Sequence, residues 1–200
     1  QLKDNCERNN QHEVLALVAK VGTFAVERLK TVIKNMPEFT LQDDTHIFNM
    51  LTIIGKLIPQ ENMRKLSTPD LFMLIVSVFL HDIGMAPDEK HILAWKNQLP
   101  ETEYDEELKE EREKFARFRL TYTHQLADIE RLEAEQEFSK AQLLEDYIVT
   151  EYIRTTHSIR AREIIAKYWA GEIVYQDTDL TENLATICFS HNESYTYLLQ

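Results

Sequence analysis

Residues 67–84 read Ser67-Thr68-Pro69-Asp70-Leu71-Phe72-Met73-Leu74-Ile75-Val76-Ser77-Val78-Phe79-Leu80-His81-Asp82-Ile83-Gly84. Thr68 is placed to cap a helix, and Pro69 at the first helical position has the backbone angle a helix needs there and lacks only an N–H that would go unpaired anyway. The helix that follows, residues 69–81, is apolar nearly all round, so it belongs in the middle of a bundle rather than on a surface. Its last turn delivers His81 and Asp82 together, and Gly84 lets the chain leave. An imidazole and a carboxylate from one backbone position, at the end of a buried helix, are a ready pair of metal ligands.

A buried helix needs others around it, and the flanking sequence supplies them. Leu15, Val18, Ala25, Val26, Leu29 and Ile33 give residues 11–35 a broad apolar face, with Gly22 on that face where a neighbour can approach closely, and Pro37 closes the helix. Thr40 and Asp43 form a capping pair for a second helix over 41–58. His46 lies in its first turns beside Ile47, Met50, Leu51 and Ile54. Further on, helices are expected over 140–155 and 157–170, with Thr156 capping the second and Gly171 ending it. A last helix over 180–191 is introduced by an Asp179/Glu182 capping box. Ile173-Val174-Tyr175 is too short to found a sheet. Only 4 Gly and 5 Pro punctuate 200 residues, which favours long helices. The fold class expected is all-α.

Residues 88–136 differ in character. Between 101 and 114 there are eight acidic and three basic side chains, with Asp105/Lys109 and Glu110/Lys114 at helical spacing. Leu108, Phe115, Tyr122 and Ile129 recur every seven residues, and Phe118 and Leu132 add part of a second row. This reads as a long charged helical arm inserted into one domain spanning 1–200, packed on one edge or offered to a partner, including another copy of the chain. An ordinary amphipathic helix lying on the same domain accounts for the pattern equally well.

Composition narrows the function. At 44% hydrophobic and 28% charged residues the chain is globular. No apolar run reaches the length of a bilayer, the longest being 71–80, so no membrane partner is expected. The net charge of −12 disfavours binding to a nucleic-acid backbone and repels phosphates at long range, so a phosphate site would need local cations. Two cysteines, Cys6 and Cys188, make neither a disulfide framework nor a metal knuckle, which suits a reducing cytoplasm. The start lacks both a signal-peptide pattern and an initiator Met, as a trimmed piece of a longer protein would.

Four histidines stand out by company rather than singly: His46, His81 with Asp82, His157 and His191, each on a different expected helix. Such side chains can converge only inside a bundle, where bundles build metal sites. Taken one at a time, each is more ordinarily a satisfied core or boundary histidine. His12, His91 and His124 have nothing to raise them above that. In order and type the set resembles the HD superfamily of metal-dependent phosphohydrolases, which takes its name from the tandem His-Asp. The resemblance covers most of the chain outside 88–136 and implies an HD-type helical bundle. It implies His46, His81 and Asp82 at a first metal, His157 and His191 at a second, Asp82 shared, and one or two divalent ions from among Mn, Fe, Ni, Zn and Mg.

The family pattern also has a final Asp, which does not follow His191, so it is expected beyond Gln200 in a domain truncated at its C-terminus. Met85 stands where the cyclic-dinucleotide branch has Lys, and Asn-Glu-Ser-Tyr-Thr replaces the Gly-Tyr-Pro signature, which sets the chain apart from that branch. The text around His46 and His81 looks like HD domains of larger bacterial proteins, some joined to an ATPase module. The implied activity is hydrolysis of a phosphomonoester or phosphodiester, a nucleotide among the candidates, with Asp82 and His81 central. Arg154, Arg160 and Arg162 would hold phosphate; their competing role is pairing with Glu151 and Glu163 on the helix surface. Asp43 and Asp44 would steady the His46 imidazole, Asp43 with capping as its stronger alternative, and Glu193 would shuttle protons unless it is simply a solvated helix end. The reading from a different class is a catalytically silent regulatory or scaffold domain that uses the arm for partner binding or nucleotide sensing.

Overall fold

The structure, a computed structural model, describes residues 1–35 and 44–193. Among these residues the fold is all-α, the sole strands being a two-residue hairpin. The chain divides into two compact units, one made of Gln1–Ala86 with His157–Gln200 and the other of Pro87–Thr156.

The first unit is organised around the helix quoted above, α5 (Thr68–Leu80), in which no residue from 71 to 80 is exposed. Around it pack α1 (Leu2–Asn9), α2 (His12–Asn35), α3 (Asp44–Leu57) and α10 (Thr181–Ser190), while the single turn α4 (Gln60–Met63) leads into it. The most buried line of α2 runs through Val14, Val21, Ala25, Leu29 and Val32, with the expected Leu15, Val18 and Val26 half-buried beside it. Gly22 meets the ring of Phe79 on α5: a Cβ there would come within 3.1 Å of it. The expected Thr40/Asp43 cap lies outside the described residues.

The cap of α5 is Ser67 rather than Thr68. Ser67 is extended (φ −70°, ψ 169°), and its hydroxyl accepts from the Asp70 amide while the Asp70 carboxylate accepts from the Ser67 N–H at 2.9 Å. Thr68 is already the first helical residue. The stretch Thr68–Trp95 is long and apolar enough on composition to pass for a membrane span, but the chain breaks there into α5, a 3-10 turn at Ile83–Met85 and α6 (Glu89–Trp95).

The second unit contains α6, α7 (Glu106–Arg119), α8 (Thr123–Ala134) and the start of α9 (Phe138–Tyr168). The expected single long charged helix is broken: α7 ends at Arg119 and α8 begins at Thr123. Leu108, Phe115 and Ile129 of the seven-residue stripe and Leu132 of the second row are buried, with Tyr122 half-buried, and Leu108 packs in a cluster with Ala94 and Leu99. Phe115 and Trp95 pack on Tyr152, with ring centroids 5.3 and 5.1 Å away in edge-on geometry.

Two expected helices at 140–155 and 157–170 are instead one. α9 runs through Thr156, whose hydroxyl donates back to the Tyr152 carbonyl in the manner of a helix-interior threonine, not a cap. Gly171 adopts φ +70° beyond its end. The hairpin Val174–Tyr175/Thr178–Asp179 turns through Gln176 and Asp177, both at positive φ, which gives the twist a two-residue hairpin needs. Asp179 accepts from the Thr181 amide at 2.8 Å, but the expected reciprocal bond from Glu182 is replaced by an ion pair with Arg162.

Candidate metal centre

The C-terminus of α5 sets the first candidate ligands. His81 is the residue just past the helix, still in helical conformation, and its Nδ1–H donates to the Val78 carbonyl three residues back, at 2.9 Å. His191 repeats the device at the end of α10: it follows Ser190, and its Nδ1–H donates to the Cys188 carbonyl, again three residues back. A carbonyl only accepts, so Nδ1 carries the proton in both rings and Nε2 is left as the outward ligand atom.

All four imidazoles aim Nε2 at one carboxylate. His81 Nε2 lies 3.0 Å and His46 Nε2 3.9 Å from Asp82 Oδ2. His191 Nε2 lies 3.4 Å and His157 Nε2 3.5 Å from Asp82 Oδ1. The Nε2 atoms of His157 and His191 are themselves 2.9 Å apart. Two groups of residues that could hold a metal ion result: His46, His81 and Asp82 on one side, and Asp82, His157 and His191 on the other, each with ligand atoms within 4.8 Å of one another. Asp82 belongs to both.

The donor set fits a divalent cation on chemical grounds. In a neutral His81 or His191 the Nε2 lone pair would face carboxylate lone pairs, an arrangement that is repulsive unless a cation, proton or metal, lies between. The electrostatics of the cluster carry the same tension. Burial alone would raise the Asp82 carboxyl, but hydrogen bonds from His191 and His81 and the charges of His81 and His157 outweigh it, and the group is held well below the usual carboxylate range. Burial opposes protonation of His81, yet the bond to Asp82 and its charge raise the ring above its ordinary value. Imidazole nitrogen with carboxylate oxygen suits borderline divalent ions. The cluster is enclosed on its inner side, where the His157 side chain is 10% exposed, and opens where that of His46 reaches 31%.

Gly84 brings the pieces together. A Cβ on it would overlap the His157 carbonyl oxygen and lie 2.7 Å from the Ala161 amide, so only glycine lets the turn after Asp82 lie against α9 at His157. Gly84 therefore does more than release the chain from α5.

The remaining residues named from sequence are distributed as follows. Arg160 is buried, and its Nη1 donates to the Gly84 carbonyl at 2.8 Å. Arg162 pairs with Glu182, and Arg154 pairs with Glu151 along α9, as the surface-pairing alternative anticipates for Arg154. Glu193 is half-buried, and its amide donates to the Ser190 carbonyl. Asp43 lies outside the described residues, as does the side chain of Asp44. Reading the sequence missed the carbonyls of Val78 and Cys188 as orienting groups, although a histidine directly after a helix is the signal that could have found them.

A family model described as HD-CE matches residues 36–200, a span holding His46, His81, Asp82, His157 and His191. Comparison with curated proteins and with solved structures returned no match. The match covers well over half of the chain and agrees with the helical architecture around the His-Asp pair: this is an HD-type domain, and the chain belongs to the HD-CE family.

Proposed function

We propose that this domain is a metal-dependent phosphohydrolase acting on a phosphomonoester or phosphodiester, with nucleotides the first class to try. The observation that carries the reading is the convergence of four imidazole Nε2 atoms on the two oxygens of Asp82, at 3.0–3.9 Å. His46, His81 and Asp82 would hold one ion and Asp82, His157 and His191 a second. Bound divalent ions would supply Lewis-acid charge that favours deprotonation of water near neutral pH and offsets the charge of a phosphate. Within the chain, the Val78 and Cys188 carbonyls fix the tautomers of His81 and His191, so the ligand atoms are set before any ion arrives. Asp82 is held below the usual carboxylate range and is ionised near neutral pH, whereas His81, raised by that same carboxylate, must give up its Nε2 proton to bind an ion. Because the chain carries a net charge of −12, affinity for an anionic substrate depends on positive charge gathered at this spot.

The test is hydrolysis of p-nitrophenyl phosphate, bis-p-nitrophenyl phosphate and a nucleotide panel by protein loaded with Mn, Fe, Ni or Zn. Turnover that disappears in Asp82→Asn and His157→Ala supports the reading. Loaded, folded protein that hydrolyses none of them contradicts it, and favours a regulatory domain that keeps the bundle without the reaction.

A further inference from the structure

Two arginines from different helices hold the short turn that leaves the His-Asp pair. Arg160 on α9 donates Nη1 to the Gly84 carbonyl at 2.8 Å, and Arg28 on α2 donates Nε to the Ala86 carbonyl at 3.0 Å. Arg160 is the more deeply placed, at 8% exposure, on a helix whose surface could have left it in water. A charged side chain is buried at a desolvation cost and is found there when its donors are used. Its position is also specific. Gly84 is two residues after Asp82, and Arg160 is three residues after His157 in the same helical turn that Gly84 abuts. The bond therefore closes a small ring, from Asp82 through Gly84 to Arg160 and back through His157 to the other oxygen face of Asp82.

We propose that Arg160 is a positioning residue for the second metal group, an inference that rests on the metal-site reading above. Its guanidinium locks the turn after Asp82 to α9, so that His157 Nε2 is held 3.5 Å from Asp82 Oδ1, rather than serving as a clamp on substrate phosphate. The first group depends on it less. His81 and Asp82 are adjacent residues fixed by the end of α5, and their 3.0 Å contact does not pass through α9. Loss of the lock lets α9 drift relative to the turn, separating His157 from Asp82 while leaving His81 beside it. Groups that orient ligands in this way typically change metal affinity by about 10- to 100-fold when removed.

The experiment is a cobalt(II) titration of metal-free protein, followed by ligand-field absorption and calorimetry, for wild type, Arg160→Met and Arg160→Lys, each checked for folding by circular dichroism. Wild type is expected to bind cobalt in two steps. In R160M one step stays within about threefold of wild type while the other weakens by at least about tenfold, and R160K recovers part of the loss because an ammonium can still reach a carbonyl. A folded R160M that matches wild type in stoichiometry, affinity and spectrum overturns the inference while leaving the metal site standing. Wild type that takes up no cobalt overturns the metal reading and the inference with it. Should R160M fail to fold, the guanidinium protons of Arg160 decide in wild type: slowed exchange with solvent in the metal-free protein is expected, and fast exchange there overturns the inference.

Discussion

Asp82 stands out for what surrounds it: four rings whose Nε2 atoms point inward, two of them, His81 and His191, tied by their outer nitrogens to carbonyls. Single residues around it make separate predictions. Gly84→Ala would place a methyl group on the His157 carbonyl, and backbone cannot rotate away as a side chain can. A loss of about 3 kcal/mol is expected, seen as a fall in Tm of about 6–12 °C by calorimetry, whereas an unchanged Tm would contradict the close approach. Cys188 makes a chemical prediction. Burial, aided by the negative charge of Asp82, has its thiol pushed up to about 12, and Cys6 is also buried and raised. Neither should react with iodoacetamide at pH 8 while the protein is folded, and labelling should follow unfolding in guanidinium; rapid labelling of native protein at Cys188 would show that the α10 packing is wrong. The sign for stability follows from a raised acid: the contribution of the Cys188 thiol is present below its unfolded value of 9.0 and is lost as pH rises toward 12.

Helix ends and helix interiors account for most of what the sequence left unreadable. Ser67 and Thr68 are equally good capping residue types, and the choice between them is made by the extended backbone at Ser67, which no side-chain pattern reveals. Ser67→Ala should cost about 1 kcal/mol and Thr68→Ala appreciably less, measured by urea denaturation; equal costs would contradict the cap. The partner carboxylate adds a pH dependence. The Ser67 hydroxyl and amide hold Asp70 below its ordinary value, so its contribution is present above pH 3.8 and is lost as pH falls below it. Thr156 is the opposite case, a good cap type absorbed into a helix interior because the residues on both sides of it are buried: Tyr152 and Ile153 before, His157 and Ser158 after. Thr156→Ala should change stability by no more than about 0.5 kcal/mol, against about 1 kcal/mol for a true cap. The break between α7 and α8 was hidden for a related reason. The seven-residue stripe continues through Tyr122 because each helix buries its own members of it, Leu108 and Phe115 on α7 and Ile129 on α8, so periodicity alone reads straight across the turn.

At the scale of the molecule, the all-α class and the central helix were legible because they follow from few glycines and an unbroken apolar run. The set of histidines was legible from order and type. What order could not convey is that Asp82 divides them in pairs between its two oxygens, since that depends on contacts between helices up to about a hundred residues apart. The two units also separate roles. All five metal-binding candidates belong to the unit of 1–86 and 157–200, and the acidic helices of 87–156 contribute none of them. The central claim is that these five side chains hold metal through a shared carboxylate. Elemental analysis of purified protein, reloaded with Mn, Fe, Ni or Zn and desalted, tests it most directly beside an Asp82→Asn variant of matching circular dichroism. Two equivalents in the wild type and a collapse of the content in D82N are predicted; a wild type that retains no metal, or a D82N that retains as much, would contradict the account.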